Sequence, residues 1–132
     1  MFPWFRPART LAFCAVRTRP DDPAPTRKAR GAFFTPPAIA DFLTRWAIRS
    51  PDARVLDPTC GEAVFLLAAA ERLRRLKAAP NTIADQLTGV DLHRPSLDAS
   101  GELLRAEGAG ARFVQSDFFD LPTPAQIGDC IG

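Results

Sequence analysis

Three aspartates, Asp57, Asp91 and Asp117, each follow a short run of strand-forming residues. In an open parallel sheet, side chains just past the carboxyl ends of the strands gather in one crevice, so acids placed this way can face a single ligand. A carboxylate only accepts hydrogen bonds. That suits the vicinal hydroxyls of a ribose after the second strand and an exocyclic amine, such as that of adenine, after the third. The first acid opens the run Asp57-Pro58-Thr59-Cys60-Gly61-Glu62-Ala63-Val64-Phe65-Leu66, in which a strand breaks into a glycine turn and then a helix. Gly61 lets the backbone turn close to a ligand, and the free N–H groups of the following helix face the same spot. Taken singly, each Asp reads as well as a turn or helix cap, and such a glycine turn as a tight connection. Their recurrence at three strand ends favours a nucleotide-type cofactor.

The elements that would hold these residues follow from periodicity. Thr35 is a good N-cap, followed by prolines where a helix tolerates them and by Ile39, Phe42, Leu43 and Trp46 at three- and four-residue spacing; this predicts an amphipathic helix ending near Ser50-Pro51. Residues 54–57 read as a strand, and residues 63–77 as a helix with Phe65, Leu66, Ala69, Leu73 and Leu76 on its buried side. A second strand is expected over 87–92, a helix interrupted by Gly101 over 95–107, a third strand over 111–116 and the start of a fourth over 127–131. Strands alternating with helices imply an α/β fold with a parallel sheet and right-handed crossovers.

Composition bounds the rest. The chain has 132 residues, 46% hydrophobic and 24% charged, the profile of one globular domain with a core. No stretch matches the run of about 18 apolar residues that a membrane span needs, and the apolar run at residues 11–16 is short for a signal peptide, so a cytoplasmic protein is expected. Residues 1–50 carry nine Lys or Arg against three Asp, and residues 51–132 eight against twelve acids. Residues 1–26, rich in proline and arginine without period, are expected to form a poorly ordered basic tail ahead of a domain over 27–132. Arg27, Lys28 and Arg30 could meet phosphates or form a solvated basic face. Cys14, Cys60 and Cys130 are odd in number and far apart, which suggests reduced thiols, with neither disulfides nor a metal knuckle. His93, the lone histidine, is expected at the surface or as a cap, and no metal site is expected.

Asp57 and Asp91 are 34 residues apart, longer than the roughly 20 residues between glycine loop and acid in dinucleotide dehydrogenases, and Ala63 stands where a GxG turn has its second glycine. Both points count against a nicotinamide enzyme. The motifs instead resemble the adenine-specific (N6) DNA methyltransferases that use S-adenosylmethionine, particularly those of restriction–modification systems in which the cofactor motifs precede the catalytic one. Gly31-Ala32-Phe33-Phe34-Thr35-Pro36 is similar to that family's aromatic-Thr-Pro segment, and Asp57-Pro58-Thr59-Cys60-Gly61 to its cofactor loop. Gly89-Val90-Asp91 and Asp117-Phe118 look like its second and third cofactor motifs, so the resemblance covers about residues 27–132.

The resemblance implies a Rossmann-like methyltransferase fold in which Phe34, Thr35 and Pro36 help hold the methionine part of the cofactor. Asp57, Pro58 and Gly61 would line the same part from the loop; Asp91 would bind the ribose hydroxyls and Asp117 the adenine amine, with Phe118 against the ring. Plain core packing is the competing reading for Phe33, Phe34 and Phe118. Ala63 departs from the family's usual Gly and crowds the loop slightly.

A larger departure concerns catalysis. The family's Asn-Pro-Pro-aromatic motif, which holds the target amine and stacks on the flipped base, occurs nowhere in the 132 residues; Ile127-Gly128-Asp129-Cys130-Ile131-Gly132 looks like the strand leading into it. The expectation is therefore a fold truncated after about the fourth strand: the N-terminal, cofactor-binding part of a DNA adenine methyltransferase, inactive alone, with no catalytic residue of its own. Its DNA contacts would belong to the full-length parent, and a complementary C-terminal polypeptide is one partner such a piece would take. Two other readings stay open: a non-catalytic regulatory or nucleic-acid-binding module with this fold, and a methyltransferase fragment for a small-molecule or protein substrate.

Overall fold

The computed structural model describes residues 35–121, all within one compact unit, Phe34–Gly132. The expected tail over residues 1–26, the basic cluster Arg27, Lys28 and Arg30, Phe34, and the expected fourth strand over residues 127–131 lie outside the described residues.

The described elements run α1 (Pro37–Ala47), β1 (Val55–Asp57), α2 (Val64–Arg75), α3 (Ile83–Gln86), β2 (Leu87–Asp91), α4 (Arg94–Ala106), β3 (Arg112–Gln115) and a single 3-10 turn (Phe118–Asp120). The strands form a parallel sheet in the order β1-β2-β3, with Asp57 beside Gly89, Gly89 beside Phe113 and Asp91 beside Gln115. This is the expected α/β, Rossmann-like arrangement. Because the three strands run in parallel, their carboxyl ends lie at one edge of the sheet.

α2 forms where Leu66, Ala69, Ala70 and Leu73 recur at helical spacing, and all four are buried. They pack over β1 and β2, while α4 packs over β2 and β3 through Leu97 and Leu104. Leu66, Leu73, Leu87 and Leu104 are completely buried, each contributing about 1.5–3 kcal/mol of transfer free energy to the core.

Two expectations are corrected, and the orientation of α1 is a further finding. Thr35 is not the N-cap of α1: Pro36 holds that position, with no side-chain cap, and its carbonyl accepts from the N–H of Ile39 at 2.9 Å and of Ala40 at 3.2 Å. The two prolines set the N-cap one residue after Thr35, with Pro37 at the first helical position where its missing N–H costs nothing, and the Ile39 N–H that a side-chain cap would serve is taken by the Pro36 carbonyl. The apolar stripe of α1 also points outward, with Ile39 49%, Phe42 68%, Leu43 40% and Trp46 67% exposed, whereas Ala40 and Thr44 are buried. α1 sits against α2, and small residues at its contact let the two helices approach closely. Finally, Gly101 does not interrupt α4. A Cβ there would lie 3.5 Å from the Phe113 ring, ordinary contact distance, so the glycine sits under a neighbouring strand's aromatic without breaking the helix.

Candidate functional site at the carboxyl ends of the strands

Each of the three aspartates accepts a hydrogen bond from the backbone N–H two residues on. Asp57 accepts from Thr59 at 3.3 Å, Asp91 from His93 at 2.8 Å and Asp117 from Phe119 at 2.9 Å, each through Oδ1. The sequence motif of an acid ending a strand thus produces the same local turn three times. The turn reading and the ligand reading are compatible, since the bond fixes each carboxylate through one oxygen and a carboxylate has several acceptor positions.

The ends are tied together across the sheet. Cys60 donates its N–H to the Val90 carbonyl at 2.8 Å, and Gly61 donates to Oδ2 of Asp91 at 3.0 Å, so the loop after β1 folds onto the end of β2. Ser116 donates its N–H to the Asp91 carbonyl at 3.2 Å, and the Gln115 amide donates to the Leu92 carbonyl at 3.2 Å, which draws in the end of β3. From α4, the buried Ser100 hydroxyl donates to the Gly61 carbonyl at 2.7 Å.

Two backbone positions shape the loop. Gly61 has φ +47°, and a Cβ there would find its nearest neighbour, the Thr59 carbonyl oxygen, 4.0 Å away. Glycine therefore serves conformation here, and it leaves open space beside the backbone where a ligand could approach. Ala63, the residue before α2, is buried and also left-handed, with φ +61°. The cost of having Ala rather than Gly is torsional, about 1–2 kcal/mol for a residue with a Cβ.

Gly89 has a different reason to be glycine. A Cβ on it would lie 2.8 Å from Cδ1 of Leu66, 2.9 Å from Sγ of Cys60 and 3.0 Å from Cε1 of Phe113. Its missing side chain makes room for α2 and for the loop, which brings Cys60 and Gly61 within hydrogen-bonding reach of Val90 and Asp91.

Burial sets the electrostatics. Asp57 is 9% exposed, and its pKa is raised chiefly by desolvation, with the nearby Asp91 charge adding and the Thr59 N–H opposing. Burial, followed by the charges of Asp57 and Asp91, pushes the Cys60 thiol up to about 12. It is therefore protonated at neutral pH and acts as a packing group. Among the described residues no three His, Cys, Asp or Glu side chains come close enough to hold a metal ion.

The structure thus brings Asp57, Pro58, Gly61 and Asp91 to one loop-and-strand junction, with Asp117 and Phe118 following the neighbouring strand. Phe118 is 43% exposed, its ring 5.6 Å from that of Phe119 in an edge-on arrangement. Thr35 and Pro36 stand at the start of α1, ahead of its first helical residue Pro37. Ser100 was missed by reading the sequence. Its signal was a serine placed three residues after Leu97 and four before Leu104, on an otherwise apolar helix stripe.

No solved structure matches this chain. The family model described as N-6 DNA Methylase matches residues 23–97, more than half of the chain and inclusive of Thr35, Pro36, the Asp57–Gly61 loop and Asp91. With that match spanning the glycine loop and the second strand's acid, the chain belongs to the N-6 DNA methylase family.

Proposed function

We propose that residues 27–132 bind S-adenosylmethionine and form the cofactor-holding part of a DNA adenine N6-methyltransferase of the restriction–modification type, acting in the cytoplasm. The observation that carries this reading is the junction of the Gly61 loop with Asp91: an open glycine backbone beside a carboxylate held at a strand end. These residues fit the cofactor chemically. A ribose diol needs an acceptor, which Asp91 offers; an adenine amine needs another, which Asp117 offers; and the half-exposed Phe118 supplies an apolar face for a purine.

When bound, the cofactor supplies an electrophilic methyl group on a sulfonium. The chain's own residues bind and orient. Asp57, Pro58 and Gly61 line the methionine part, with Phe34, Thr35 and Pro36 assigned there by family resemblance alone. A carboxylate at Asp57 also favours the positive charge of an ammonium or sulfonium, and its burial strengthens that preference.

No residue in the 132 is assigned to catalysis, because Asn-Pro-Pro is absent from them. In this reading the 132 residues hold the cofactor, and the groups that act on the target amine and contact DNA lie outside them.

Equilibrium dialysis with methyl-labelled S-adenosylmethionine, followed by addition of DNA, tests both halves. Label retained by the folded 132-residue chain with none passed to DNA is the expected result. Absence of retention would sink the cofactor assignment, and label on DNA adenine would sink the assignment of catalysis elsewhere.

A further inference from the structure

We propose that Ser100 is a positioning residue for the cofactor loop, holding the Gly61 peptide in the orientation that presents the loop to its ligand. The inference rests on the cofactor reading above and adds a residue that no loop motif contains.

Ser100 lies in the middle of α4, with 1% of its surface exposed, between the buried Leu97 and Leu104. On packing grounds alone this is a position for an apolar residue. Serine has a poorer helix propensity than alanine, and a buried hydroxyl is costly unless it is hydrogen-bonded. A helical serine ordinarily satisfies itself by bonding back to the carbonyl one turn earlier. Thr44 does this in α1, where the similarly buried hydroxyl bonds to the carbonyls of Ala40 at 2.9 Å and Asp41 at 3.1 Å. Ser100 instead reaches out of its helix to the carbonyl of Gly61, 39 residues away in sequence, at 2.7 Å.

That bond completes a two-sided grip on one residue. The N–H of Gly61 is held by Asp91 at 3.0 Å and its C=O by Ser100 at 2.7 Å, so strand β2 and helix α4 together fix both flanking peptide planes. Gly61 needs such fixing more than other residues do. Its left-handed φ of +47° lies in a region glycine shares with many other accessible conformations, and its neighbouring space is open. Without the hydroxyl, the partly buried carbonyl would lose its donor, and the loop could swing off Asp91 to find water. Affinity would then suffer through the population of loops competent to bind.

The test uses the full 132-residue chain and its Ser100→Ala, Ser100→Thr and Thr44→Ala variants. S-adenosylmethionine affinity is measured by calorimetry well below each variant's melting temperature, and backbone amide exchange at Cys60 and Gly61 is followed without cofactor. Ser100→Ala is expected to raise Kd about tenfold, which corresponds to a lost hydrogen bond of about 1.4 kcal/mol, and to speed Gly61 exchange by a similar factor. Ser100→Thr, which keeps the hydroxyl, should recover most of both. Thr44→Ala should lower the melting temperature yet leave Kd and Gly61 exchange within about twofold of the parent. Equal shifts in Ser100→Ala and Thr44→Ala, or no recovery with Ser100→Thr beside unchanged Gly61 exchange in Ser100→Ala, would overturn the proposal. A parent chain that binds no cofactor would refute the cofactor reading instead, and the exchange measurement alone would then decide the role of Ser100.

Discussion

Replacing Gly89 by alanine adds one methyl group at the point where strand, helix and loop meet, and its cost follows from three distances. The new Cβ would stand 2.8 Å from Leu66 Cδ1, 2.9 Å from Cys60 Sγ and 3.0 Å from Phe113 Cε1. Carbon atoms in a packed interior prefer separations of about 3.5–4.0 Å, so each neighbour must yield by about half an ångström or more. The neighbours come from α2, the loop and β3, and Leu66 and Cys60 are 0% and 5% exposed, so neither can move into solvent. Overpacking a core costs about 1–3 kcal/mol. With three neighbours pressed at once, the upper part of that range applies, about 2–3 kcal/mol, or roughly 10–20 °C in melting temperature for a domain of this size. Cys60→Ala removes one of the three contacts, so the double variant should lose about 1 kcal/mol less than the sum of the single losses. Thermal and urea denaturation of the four proteins give this cycle directly. A Gly89→Ala cost below about 0.5 kcal/mol, or strict additivity with Cys60→Ala, would refute the packing account. Gly61→Ala provides contrast, because its Cβ has 4.0 Å of room and only the strained φ should count, about 1–2 kcal/mol.

Two further outcomes test the loop. Ala63→Val should destabilise by about 2 kcal/mol or more, because a β-branched side chain is forced into a left-handed backbone at a fully buried position; Ala63→Gly should fall within about 1 kcal/mol of the parent, since strain relief is offset by the lost methyl and a floppier unfolded chain. Both are read from urea midpoints. Asp57→Asn should raise the melting temperature at neutral pH, because burial and Asp91 disfavour the charged form of Asp57. A raised carboxyl pKa means the folded state holds its proton more tightly than the unfolded state. The stability contributed is therefore present at low pH and lost as pH rises through the window above the ordinary carboxylate value. The advantage of Asn should shrink as pH is lowered toward that value, and a gain that grows on acidification would contradict the cause given for the shift.

The alternation of strands and helices was legible because Val55-Leu56-Asp57 and Leu87-Thr88-Gly89-Val90-Asp91 end in acids, and because Leu66, Ala69 and Leu73 mark a buried face at helical spacing. The same periodicity located α1 but left its facing open. Ile39, Phe42, Leu43 and Trp46 define a stripe, but a period cannot say what the stripe faces, and the contact with α2 is made by the small residues Ala40 and Thr44. α3, with four residues, is too short to carry any period. Gly101 looked like a helix breaker because local propensity ignores the Phe113 ring that lies over it. At the site, the aspartates and Gly61 stood out by type and position. The reasons for Gly89 and Ser100 were hidden, since both depend on atoms brought from distant parts of the chain.

In the proposed function the Asp91 carboxylate, held beside the Gly61 loop, binds the ribose of S-adenosylmethionine. Calorimetric titration of the parent chain and of Asp91→Asn tests it most directly. Asn keeps one oxygen that can accept from His93 but places a donor where Gly61 and a ribose hydroxyl need an acceptor. Saturable binding by the parent and at least a tenfold loss in Asp91→Asn are expected, with both proteins cooperatively folded. No heat of binding from the folded parent, or equal affinity in the variant, would contradict it.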